Sequence, residues 1–236
     1  MPSHTRGPRR ARRLTAALFA LALGAGAAPA AHAHATAEEP VPDTWACPAV
    51  EELPEGADPG EWRCEVMTAV GRLDLGRAGL AIDEPMTLTF AEGRLDGEFA
   101  QVFGELDAAP LRVPGTPLTL TPRYGGFSDF ESDEERRGEL SLTFALAGPL
   151  VPPGCSIGTD ARPVHLVLKE TTGPAVVSED PLVVTFGVED NAFAVPRTSG
   201  CGRLGPLLDA VLGLPSPAGE NGIALDAEVT LLPYGS

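Results

Sequence analysis

The chain has 236 residues, with 17 Lys+Arg against 33 Asp+Glu and a formal net charge of −16. Binding to nucleic acid needs a positive surface that displaces counterions from the phosphates, and this charge excludes it. Hydrophobic residues make up 43% and fall in alternating runs that can bury a core, which excludes disorder over the whole length.

Residues 1–13 carry Arg6, Arg9, Arg10, Arg12 and Arg13 with no acid, and an apolar run follows from Ala16 to Ala28. Pro29-Ala-Ala-His-Ala33 then supplies the small residues of a cleavage site, so residues 1–33 read as a secretory signal peptide. The apolar run is too short for an ordinary transmembrane helix. Cleavage is expected after Ala33, with Ala35 and Ala37 as alternatives. Arg12-Arg13 is a poor twin-arginine match, because Thr15-Ala16 follow where bulky apolar residues are wanted; general secretion is the expected route.

Removing residues 1–33 takes away five of the 17 basic residues and no acid. That leaves 12 against 33, a net charge of −21, with Lys169 as the single lysine. No later apolar run is long enough to span a bilayer. The mature chain is therefore expected to be soluble, exported and monomeric, with no membrane span. Its acid excess reads as a solubility device rather than as a site for a cationic partner.

Four cysteines survive cleavage: Cys47, Cys64, Cys155 and Cys201. An even number in an exported chain reads as disulfides, and four cysteines allow three connectivities. Cys47–Cys64 with Cys155–Cys201 is favoured, because each pair belongs to one half of the chain. Zinc is disfavoured: there is no C-x-x-C, and the mature chain offers only His34 and His165. Residues 34–63 are Pro-, Glu- and Gly-rich and read as a surface segment tethered by a disulfide loop. Trp45-Ala-Cys47 and Trp62-Arg-Cys64 repeat a W-x-C pattern, and each Trp is expected to pack against the bridge.

Strands are predicted over 64–70, 80–90, 94–106, 118–124, 139–147, 162–171 and 182–188. The signal is alternation, as in Leu140, Leu142, Phe144 and Leu146, or Val164, Leu166 and Leu168. Glu92-Gly93 is expected to make a tight hairpin, and Gly173-Pro174 to mark a connection. Leu204, Leu207, Leu208, Val211 and Leu212 fall on one face of a short helix that plugs an open end or edge, and Ile223 to Leu231 return as a strand. Residues 64–236 are thus expected to form an all-β domain. It is a single β-sandwich, or partly open barrel, with one short C-terminal helix and two disulfide staples.

Catalytic motifs are mostly absent. Gly200-Cys-Gly202-Arg-Leu-Gly205 matches G-x-G-x-x-G by letter, yet reads as a turn leading into the helix, since no buried parallel strand precedes it. No cofactor, catalytic residue or metal ligand is assigned. His165, which any Ser-His-Asp or Cys-His mechanism would have to use, is out of phase with Val164 and Leu166 and reads as a solvated strand residue. In Tyr124-Gly-Gly-Phe127-Ser-Asp129-Phe130-Glu131-Ser-Asp133, the acids mimic the start of a calcium loop. Glu134 stands where the turn needs Gly, and Leu140 where the bidentate acid belongs. The expectation here is that the three aromatic rings cover the mouth of the core and the charges are solvated.

The blocks Cys155-Ser-Ile157-Gly158, Asp190-Asn191-Ala-Phe193-Ala-Val-Pro196, Ser199-Gly-Cys201-Gly202 and Gly213-Leu-Pro215-Ser216-Pro-Ala-Gly219 resemble those of a family of small exported actinobacterial proteins. The resemblance covers mainly residues 150–230. It implies export, a single β domain and the Cys155–Cys201 bridge, and it implies no catalytic residue. The expected function is binding of an extracellular ligand, or association with the cell envelope. The alternatives are a secreted hydrolase using paired carboxylates and a protease inhibitor presenting a rigid loop near Cys155.

Overall fold

The computed structural model describes residues 47–133 and 136–234. The expected cleavage position at Ala33, its alternatives at Ala35 and Ala37, and Trp45 lie outside them. The strands are β1 (Arg63–Leu75), β2 (Ala78–Leu95), β3 (Glu98–Asp107), β4 (Leu111–Arg112), β5 (Thr119–Asp129) and β6 (Gly138–Ala147). They continue as β7 (Ser156–Ile157), β8 (Val164–Glu179), β9 (Leu182–Asp190), β10 (Thr198–Ser199) and β11 (Gly222–Pro233). One helix, α1 (Gly205–Leu212), precedes β11. The fold is all-β with a short C-terminal helix, as the alternation predicts.

The strands form one antiparallel sheet in the order β10-β7-β6-β8-β9-β11-β1-β2-β3, with β5 also on β6 and β4 on β5. The sheet doubles over at β8. Residues 164–168 pair with β6, whereas the stretch from Lys169 to Glu179 pairs with β9. One strand thus serves two layers, the usual way a sandwich turns a corner. At the turning point the Val167 N–H donates to Asp190 Oδ2 (2.8 Å), a side chain standing in for a ladder partner. Leu73, Leu80 and Phe90 from one layer meet Leu120, Phe144 and Leu166 from the other in a single core.

The two free sides of the folded sheet, β3 and β5, approach each other without a ladder. Gln101 bridges them: its Nε2 donates to the Ser128 carbonyl (2.5 Å) and its Oε1 accepts from the Phe130 N–H (2.9 Å). The Phe103 and Tyr124 rings stack alongside, 3.6 Å apart and nearly parallel.

Both disulfides have the expected connectivity, Cys47–Cys64 and Cys155–Cys201. The first ties the segment from Cys47 to Trp62 against the outer side of the sheet, where Cys64 and Val66 are buried. The Tyr234 hydroxyl donates to the Pro48 carbonyl (2.7 Å) and fastens the same segment to the end of β11.

Three local expectations are corrected. Glu92-Gly93 lies inside β2, and the turn into β3 falls at Asp96-Gly97, both in the left-handed region (φ 52° and 87°) that a two-residue hairpin requires. Gly93 serves a different purpose: a Cβ there would lie 2.6 Å from the Trp62 ring, so the indole packs flat on the bare backbone. Gly173-Pro174 lies within β8, at an irregularity in its pairing with β9. The helix buries Leu208 and Leu212 but leaves Leu207 and Val211 exposed. Asp209 rolls it inward by accepting from the Thr198 N–H (2.8 Å) and hydroxyl (2.9 Å). Its last turn abuts the β1–β2 turn, where the Arg77 N–H donates to the Leu212 carbonyl (2.8 Å).

Candidate functional site

Strand alternation places Glu65 and Met67 of β1, Phe90 of β2, Val184 and Phe186 of β9, and Val229 and Leu231 of β11 on the inner face of one layer. Glu65 stands opposite both Phe90 and Leu231, and Met67 opposite Val229, which in turn faces Val184. These side chains line a pocket of about 180 Å³, whose rim is completed by Phe130, Ser132, Arg137 and Pro174. Phe130 stacks on Phe90 with ring centres 4.5 Å apart. The helix abuts the turn that follows Leu75, and the pocket lies toward the other end of β1. An apolar cavity of roughly 150 Å³ admits a benzene ring, so this one suits a single ring or a short branched chain.

Polar chemistry enters at Glu65, which is 9% exposed among these apolar walls. Arg63 Nε donates to Glu65 Oε1 (2.8 Å), and Arg63 Nη2 donates to Glu92 Oε1. Burial raises the Glu65 carboxyl to about 7, helped by the Glu92 charge and a hydrogen bond to Glu92, with Arg63 pulling the other way. Glu65 therefore keeps its proton well above the ordinary carboxylate range. A neutral acid beside an apolar pocket can donate a hydrogen bond to a ligand without paying for a buried charge. On the rim, Arg137 is ion-paired to Glu170.

Arg63 holds both carboxylates of this pair, Nε on Glu65 and Nη2 on Glu92. Asp226 and Glu228 line a wider groove of about 390 Å³ on the outer face of the same layer, but both stand in solvent.

The loop that resembles a calcium site is organised by a cation of the chain itself. Arg136 pairs with Asp129 (3.0 Å), Glu139 (2.6 Å) and Asp133 (3.8 Å), so these charges are paired rather than merely solvated. The hydrogen bond to Glu139 is the main reason the guanidinium is held above its ordinary value. No cluster of three or more His, Cys, Asp or Glu side chains suited to a metal occurs among the described residues. Glu134 and Glu135 lie outside them. Phe130 and Tyr124 do cover the core. Phe127 turns outward instead, 45% exposed, because the chain bulges at Gly125-Gly126. His165 faces outward as its phase predicts, yet it is not simply solvated: it meets Ser141 and Glu139. The G-x-G-x-x-G letters fall on the turn between β10 and α1.

Sequence reasoning missed Glu65 and Glu92 because 33 acids dilute any one of them. The available signal was phase: Glu65 shares the inward side of β1 with Ala69, Leu73 and Leu75. Compared with family models, curated proteins and solved structures, the chain finds no match.

Proposed function

We propose that the protein is exported and binds a small, largely apolar ligand outside the cell, in the pocket between β1, β9 and β11. The observation that carries this reading is a cavity walled by Met67, Phe90, Phe130, Val184, Phe186, Val229 and Leu231, with one buried, proton-bearing carboxyl, Glu65, at its edge. Apolar walls with few convergent polar groups are the common make-up of a ligand site. The basic, apolar and small-residue sequence of 1–33 and the two disulfides support export. The family resemblance points the same way.

A single-ring probe, 4-fluorotoluene, tests the reading by ¹⁹F NMR. Saturable binding is expected, with a shift of the Met67 methyl resonance, and both should vanish in Val184→Phe, which fills the cavity. Equal binding by wild type and Val184→Phe would refute the site. Amino-terminal sequencing of protein from the culture supernatant should begin at residue 34, 36 or 38.

A further inference from the structure

On the outer face of β6, away from the pocket, three side chains from two strands meet. Ser141 and His165 stand directly opposite each other across β6 and β8, with Ser141 Oγ 3.2 Å from His165 Nδ1. The other ring nitrogen, Nε2, lies 3.2 Å from Glu139 Oε2. In the tautomer with its proton on Nε2, beside the carboxylate, the ring turns the Nδ1 lone pair toward the Ser141 hydroxyl. Glu139 is itself held in place, because Arg136 Nη1 donates to its Oε1 (2.6 Å) and to Asp129 Oδ2 (3.0 Å). The hydroxyl is hydrogen-bonded to the imidazole and the carboxylate lies beside the far ring nitrogen, the order of groups that activates a serine.

A second observation singles out the same serine. Tyr124 pairs with Leu142 and Ser128 with Leu140, so Gly125, Gly126 and Phe127 all stand against Ser141 alone. Bulges that break a ladder gather beside active sites. Gly125 crosses so closely that a Cβ would lie 2.9 Å from the Ser141 carbonyl carbon, whereas Gly126 (φ 91°) has open space around it. The Phe127 ring lies 5.7 Å from the imidazole of His165. Ser141 is 2% exposed beneath the Gly125 backbone, whereas the His165 side chain is 45% exposed.

We propose that Ser141 is the nucleophile and His165 the base of an acyl-transfer site that hydrolyses short-chain esters, with Phe127 flanking the acyl group. Ser141 Oγ bonds to the carbonyl carbon as its proton passes to His165 Nδ1. The ester C–O bond then breaks, and the alcohol leaves with that proton. A water, deprotonated by the same nitrogen, displaces the acyl group as a carboxylic acid and restores the serine. Glu139 is a positioning residue that pairs with the ring while it carries the extra proton. This site is separate from the pocket and does not rest on ligand binding there.

Reaction of the full chain with a fluorophosphonate, in which an Oγ–P bond forms and fluoride leaves, tests the proposal by intact mass and peptide mapping. One equivalent is expected, on Ser141, and none in Ser141→Ala. His165→Gln, with disulfides and circular dichroism unchanged, should slow the reaction by about 100-fold or more. Glu139→Gln should lower kcat on p-nitrophenyl butyrate at least about tenfold with KM unchanged, whereas a merely structural role would move KM and the melting temperature together. Labelling of Ser141 no faster than that of N-acetylserinamide, or equally fast in wild type and His165→Gln, would overturn the proposal and reduce the cluster to a cross-strand polar pair.

Discussion

Replacing Glu65 with Gln should make the protein more stable at neutral pH, and the size of the gain follows from its surroundings. In the unfolded chain this carboxyl titrates near 4.5, whereas in the fold it titrates near 7. Between those values the unfolded chain has released the proton and the folded chain retains it, so folding takes up a proton. Stability from this group is therefore fully present below about 4.5 and lost as the pH rises through about 7. At about 1.4 kcal/mol per pH unit, the loss is on the order of 3 kcal/mol. Gln copies the protonated acid: its carbonyl accepts from Arg63, and its N–H donates to Glu92. Glu65→Gln and wild type should match near pH 4.5 and diverge to on the order of 3 kcal/mol by pH 8. For a chain of this size that is roughly 6–12 °C in Tm, readable by calorimetry across that range. A stability difference that does not change with pH would refute the reasoning, because it would mean that Glu65 titrates alike in both states.

Gln101→Leu removes the bridge between β3 and β5 and leaves the Phe130 N–H without its partner; a loss of about 1–3 kcal/mol is expected in urea unfolding, with the slope unchanged. Replacing Cys155 and Cys201 by Ala, which opens a loop of 46 residues, should cost about 4 kcal/mol, against about 3 for Cys47 and Cys64 with a separation of 17. Urea midpoints of the two double variants give the order, and the reverse order would show that docking of the 47–62 segment outweighs chain entropy. Asp209→Ala, which strands the Thr198 N–H, should lower stability by about 1–3 kcal/mol and speed hydrogen exchange in α1 before the rest of the molecule.

Strands were legible where one face is buried and the other wet. Leu140 to Leu146 and Val164 to Leu168 lie in strands where the period of two puts them. β1 was traced only to Val70, although Leu73 and Leu75 keep its inward phase as far as the turn at Gly76. The turn at Asp96-Gly97 carried a stronger signal than Glu92-Gly93, whose glycine answers to Trp62, a contact invisible along the chain. The cysteine pairing was within reach because each half of the chain holds two. The sites were not. Glu65 becomes unusual only once Phe90 and Leu231 flank it in space, and Ser141 meets His165 through a register between strands 24 residues apart. That register is a property of the folded sheet, and no spacing in the sequence announces it.

A sheet that meets itself through one glutamine amide has a line along which it can part. The long strands elsewhere are held by runs of main-chain bonds that must break together, whereas among the described residues this seam is held by the Gln101 amide, bonded to Ser128 and Phe130, and a ring stack. Thermal opening should therefore begin between β3 and β5. Phe130 sits on both sides of that event, because its backbone holds Gln101 and its ring walls the pocket. The amide that finishes the fold therefore also holds one wall of the pocket in place.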